Sequence, residues 1–126
     1  MKNFTFSWGF LIIAALLDSF TLYAVKWRSN IVGQFEPAGF PEMKNYFLHF
    51  MNHPMLYAGM VTFVIGLFLG YIAVTRIDVT ISYPASVGLH IIIVFLFGTF
   101  LLDESVTAFK MLGVFMIMTG IWLLSK

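Results

Sequence analysis

Four apolar runs, each about as long as a bilayer is thick, leave this chain few choices of fold. They cover about residues 8–26, 55–75, 81–102 and 108–125. A helix crossing a hydrocarbon core needs roughly 20 predominantly apolar residues, and in lipid only helices and closed barrels satisfy the backbone internally. The sequence therefore predicts a single all-α membrane domain over 1–126 with four transmembrane helices, a multi-pass protein of the cell inner (plasma) membrane. Composition agrees, since 60% of the 126 residues are hydrophobic and only 10% are charged, far from a soluble domain. The first run, preceded by Lys2, extends from Trp8 to Val25. That is longer than a signal-peptide core and has no small-residue cleavage site after it, so it reads as a retained helix.

Polar residues close each run. Lys26, Trp27 and Arg28 end the first, a cationic and aromatic group suited to the membrane interface. Pro54 precedes the second, Arg76 and Asp78 end it, and Asp103 and Glu104 end the third. The connection Ser29–Pro54 is too polar to cross. Within it, after Pro37, Gly39 and Pro41, the apolar side chains Met43, Tyr46, Phe47, Phe50 and Met51 recur at helical spacing. They predict a short amphipathic helix over 42–52 lying on the membrane surface, as an anchor or as a lid over a cavity.

Small residues mark close helix contacts. Gly66 and Gly70 form a small-xxx-small pair in the second span, and Gly113 and Gly120 share a face of the fourth. Very short connections make the second, third and fourth spans sequential antiparallel neighbours. Four short helices enclose little space, so a homodimer packed through the fourth span is expected. Alternating passes put Lys2, Arg76 and Lys126 on one side and Lys26, Arg28, Lys44 and Lys110 on the other. That balance leaves open both a dual-topology, antiparallel dimer and a single orientation set by Lys26 and Arg28.

Asp18 is the most unusual residue. It lies mid-span with at least seven uncharged residues on either side, where a charge costs a few kcal/mol (about 2.5–3.5 on insertion scales). Leu11, Ala14, Ala15, Thr21 and Leu22 share its helical face, which reads as a cavity wall. Such a carboxyl can exchange a proton for a cationic substrate, or act as a hydrogen-bonded tie between helices. His90 is the second intramembrane ionisable group, and Tyr83, Ser86 and His90 form a polar stripe along the third span that suits a substrate path, or a satisfied histidine.

Other chemistries find little support. There is no cysteine, which removes disulfides and thiolate metal sites. His49 and His53 are spaced i, i+4 but lack a third ligand, so no metal or other cofactor is expected. Asp103 and Glu104 precede the fourth helix and read as its N-terminal acidic cap. No nucleophile triad, phosphate loop or dinucleotide fingerprint appears, so an enzyme is not expected. A net charge of +1, with its cations scattered, argues against nucleic acid as a partner.

Tyr83-Pro84-Ala85-Ser86-Val87-Gly88, Leu102-Asp103-Glu104-Ser105, Leu112-Gly113 and Gly120-Ile121 resemble the drug/metabolite transporter superfamily. The chain is most similar to its four-helix members, the small multidrug resistance family and the paired subunits that flip undecaprenyl-phosphate-linked aminoarabinose. The likeness covers the first, third and fourth spans, and the first connection is longer than those families use. It implies that Asp18 stands where the multidrug family has a glutamate binding substrate and protons competitively, and Lys26 where a lysine closes that helix. Tyr83 matches a binding-site tyrosine, and Gly113 and Gly120 match dimerising glycines. Ser86 replaces an expected tryptophan and His90 an expected glycine, departures that point away from bulky aromatic drugs and toward a polar amine, a guanidinium compound or an amphiphilic lipid headgroup.

The leading expectation is a proton-coupled antiporter of small cationic or polar amphiphilic compounds, acting as a homodimer or with a paired homologous subunit, with membrane lipid around it. A flippase for a lipid-linked sugar is the second reading, and a structural membrane subunit the third.

Overall fold

The computed structural model describes residues 2–36 and 39–124. Pro37, Ser125 and Lys126, which enter the sequence reading, lie outside them. Five helices and no strand are found among the described residues: α1 (Lys2–Val32), α2 (Phe40–Met51), α3 (Pro54–Val74), α4 (Val79–Leu101) and α5 (Ala108–Leu124). Three stretches, Phe6–Val32, Pro54–Val74 and Val79–Leu101, are long and apolar enough to cross a membrane. This is the build of a membrane protein. The expected fourth span is the apolar helix α5, which at 17 residues is shorter than the rest, about 25 Å at 1.5 Å per residue.

Helix α1 is longer at both ends than the apolar run that predicts it. After Gly9 no glycine or proline interrupts it before Gly33, and Lys26, Trp27 and Arg28 are compatible with continued helix. It stops at Gly33, which adopts φ 92° and whose N–H donates to Ser29 O at 2.9 Å, a left-handed helix end that favours glycine. The cationic cluster thus marks a change of environment, not the end of the helix. Helix α2 begins at Phe40, two residues before the expected start, with Pro41 in its first turn.

Helix α1 is the centre of the fold, and α3 and α4 both pack chiefly on it. Ala14 lies beside Gly70 and Ala24 beside Gly59, so α1 and α3 are antiparallel. Leu11 clusters with Ala85 and the Tyr23 ring meets that of Phe97 at 6.0 Å, so α1 and α4 run parallel. Helix α5 returns along α4, with Ile117 and Ile121 against Gly88. The expected neighbours α3 and α4 do run antiparallel, but both pack chiefly on α1 rather than on each other. Their tight turn, closed by Arg76 and Ile77 N–H groups donating to Ala73 O, joins the ends while the helix bodies diverge onto α1. A short turn fixes proximity of ends, and the side chains fix the line of contact.

Arg28 ties α2 to α1. Its guanidinium is buried and donates from Nε to Phe50 O at 3.2 Å and from Nη2 to His49 O at 2.8 Å. These are carbonyls of the last α2 turn, where a cation also meets the negative helix end. Tyr46 Oη donates to Gly33 O at 2.7 Å. Phe40, Phe47 and Leu48 remain exposed on α2.

Candidate functional site

The seam between α1 and α3 is built from residues small enough to let two backbones approach. Gly59, Gly66 and Gly70 of α3 face Ala24, Asp18 and Ala14 of α1. Hydroxyls add cross-helix ties: Thr21 Oγ1 donates to Gly59 O at 2.9 Å and lies 3.2 Å from Thr62 Oγ1, which within α3 also donates to Gly59 O at 2.9 Å. Gly66 and Gly70 therefore pack helices within one chain.

Asp18 sits in that seam. Its Oδ1 is directed at Gly66, where any side chain would occupy the same space. This oxygen is buried and has no hydrogen-bond partner among the described residues. A buried acceptor without a donor costs about 1–3 kcal/mol, so a donor or proton brought to it is favourably received.

On its other side α1 leaves a groove against α4. Its two lobes, of about 410 and 380 Å³, share Leu22, Val94, Gly98 and Glu104. His90 and Thr99 line the first lobe; Ser19, Tyr23 and Phe97 line the second. His90 thus faces the groove. Glu104 hangs over the groove because Asp103 takes a left-handed conformation, φ 50°, and the Glu104 N–H turns back to Gly98 O at 3.0 Å. The Glu104 carboxylate approaches Lys26 Nζ at 3.9 Å, with both side chains about half exposed.

Of the four residues expected to bind substrate, Asp18 lies in the α1–α3 seam and His90 in the groove. Ser86 is half-buried on α4, and Tyr83 is 67% exposed, seven residues and about 10 Å along the helix from His90. Within one chain Tyr83 faces outward rather than into the groove. Gly113 and Gly120 have open space where a side chain would project. Glu104 is not the expected cap of α5. That role belongs to Thr107, whose Oγ1 accepts from Lys110 N at 3.3 Å. His53, whose ring nitrogen accepts from Met55 N at 3.2 Å, caps α3. Among the described residues no three His, Asp or Glu side chains group as metal ligands would.

Sequence reasoning passed over Glu104 and Lys26 as site residues. Each carried a signal, an acid and a base at the ends of spans that must lie side by side, but a separation of 78 positions hid their pairing. Compared with known proteins, the chain matches no family model, and no curated protein or solved structure is significantly similar to it.

Proposed function

We propose that the chain is a small inner-membrane transporter, a proton-coupled antiporter of small cationic or polar amphiphilic compounds, in which Asp18 is the coupling carboxyl. The observation that carries this reading is the buried, donorless Oδ1 of Asp18 in the α1–α3 seam, with His90 lining the groove on the other side of α1. In this mechanism His90 relays a proton between the groove and Asp18, and a cation arriving in the groove competes for the same negative charge. Helix α5 serves as a short fourth span, and two chains pair through its open Gly113–Gly120 face. Helix α2 lies at the membrane surface with Phe40, Phe47 and Leu48 in the headgroup region.

Reconstituted chain should drive cation uptake from a proton gradient, and Asp18→Asn should lower the rate at least about tenfold. Normal transport by Asp18→Asn, or substrate affinity constant between about pH 5 and pH 9, would rule the mechanism out.

One observation favours a flippase for an amphiphilic lipid as a second reading. Beneath α2 a cavity of about 270 Å³ opens between α1 and α3, walled almost wholly by apolar groups including Phe47, Phe50, Val25 and Met60. It has the character an acyl chain requires. A flippase predicts co-purifying lipid and greater sensitivity to Phe47→Ala than to Asp18→Asn.

A further inference from the structure

The lobe holding Tyr23 and Phe97 has a chemistry that the Asp18 mechanism does not use. Its walls are apolar, with Leu22, Val25, Val94 and Leu102 around the two rings. At its mouth stands the Glu104 carboxylate, held over Gly98 by the backbone turn at Asp103. The ammonium of Lys26 approaches that carboxylate at 3.9 Å, the outer limit of an ion pair, and neither side chain is buried. Such a pair contributes at most about 1 kcal/mol. Lys110, the other cation nearby, is engaged elsewhere, its Nζ donating to Ser105 O at 2.9 Å.

We propose that this lobe is a binding site for primary amines carrying a short apolar body, and that Lys26 is a tethered occupant of its ammonium position. An incoming ammonium takes the place of Lys26 Nζ at Glu104, while its apolar part lies against Tyr23 and Phe97. Aromatic faces hold a cation's flank as well as its hydrocarbon. Lys26, on a flexible four-carbon stem, swings aside into the headgroup region as amphipathic side chains do at a membrane surface. The site selects against anions, which Glu104 repels, and against cations too bulky for about 380 Å³. It deepens the transporter reading, on which it rests, by placing a first station for substrate at the end of the groove that leads to His90.

The test is equilibrium binding of phenethylammonium to the purified full chain in lipid nanodiscs, by calorimetry. Removing the tethered competitor with Lys26→Ala should tighten binding about threefold or more, and Glu104→Gln should weaken it at least about tenfold, as loss of a charge-assisted contact does. Tyr23→Leu should weaken it several-fold. The proposal is overturned if Glu104→Gln binds like the parent chain, if Lys26→Ala binds more weakly, or if neither the parent nor Lys26→Ala binds at all. Binding lost in Asp18→Asn but kept in Glu104→Gln would sink this site while leaving the transporter reading intact. The reverse pattern, with normal transport by Asp18→Asn, would do the opposite.

Discussion

Helix α1 presents two faces that differ in nearly every physical respect. Toward α3 it offers Ala14, Thr21 and Ala24 to a row of glycines, and Thr21 ties the seam through Gly59 O and Thr62 Oγ1. Toward α4 it offers Leu22, Tyr23 and Lys26, whose bulk holds the helices apart and leaves a groove. In lipid no hydrophobic drive joins apolar helices, so close contact follows small residues and space follows large ones. Asp18 lies on the closed side, its Oδ1 directed at Gly66, while His90 lines the open side.

Alanine placed at successive glycines probes this difference directly. The largest effect is expected at Gly66. A methyl group there would collide with Asp18 Oδ1, and would lie 3.2 Å from Asp18 Cγ and 3.4 Å from the Ala14 carbonyl. Carboxyl and backbone cannot both yield, so Gly66→Ala should destabilise the chain by about 1–3 kcal/mol and reduce proton-coupled transport with it. Equilibrium unfolding in mixed micelles measures the first and a reconstituted uptake assay the second. Unchanged stability in Gly66→Ala would mean that the seam is looser than described.

An intermediate effect is expected from Thr21→Val with Thr62→Val, which keep volume while removing the two α1–α3 ties, Thr21 to Gly59 O and Thr21 to Thr62. Hydrogen bonds between membrane helices average about 0.6 kcal/mol. The double variant should therefore lose about 1 kcal/mol in the same unfolding measurement, with the groove and its binding untouched. A loss of amine binding without a loss of stability would reverse the assignment of the two faces.

The sequence made the membrane spans and the singular position of Asp18 legible because both are local: run length and one charge amid apolar neighbours. It also made Gly66 and Gly70 legible as packing residues, since their spacing puts them on one face. The partner of that face was not legible. Short connections made α3 and α4 sequential neighbours, whereas Ala14 and Asp18 of α1, 48 to 56 positions away, take the glycine face. The Lys26–Glu104 pair was hidden for the same reason, and further because the left-handed turn at Asp103 alone directs Glu104 back over the groove rather than toward α5.

On the groove side the same substitution should do little. At Gly98 a methyl would lie 3.2 Å from Glu104 Oε2, the mobile end of a half-exposed side chain. Gly98→Ala should cost well under about 1 kcal/mol, because a helix prefers alanine to glycine by about 0.5–1 kcal/mol. It should nevertheless displace the carboxylate and weaken phenethylammonium binding a few-fold, a separation of stability from binding that Gly66→Ala cannot produce.

The smallest effect on the chain itself is expected at Gly113 and Gly120, where nothing lies within 4 Å of the added methyl. Gly113→Ala with Gly120→Ala should leave the unfolding equilibrium of the isolated chain unchanged or slightly more favourable, again by helix preference. If two chains pair through this open face of α5, the added methyls hold the helices apart and the dimer weakens, since close backbone approach is what small residues at such a face permit. Energy transfer between labelled chains in vesicles, read against dilution in lipid, separates the two effects. A dimer equally strong in the double variant would move the contact to another surface, and the exposed Tyr83 face of α4 would be the next to test.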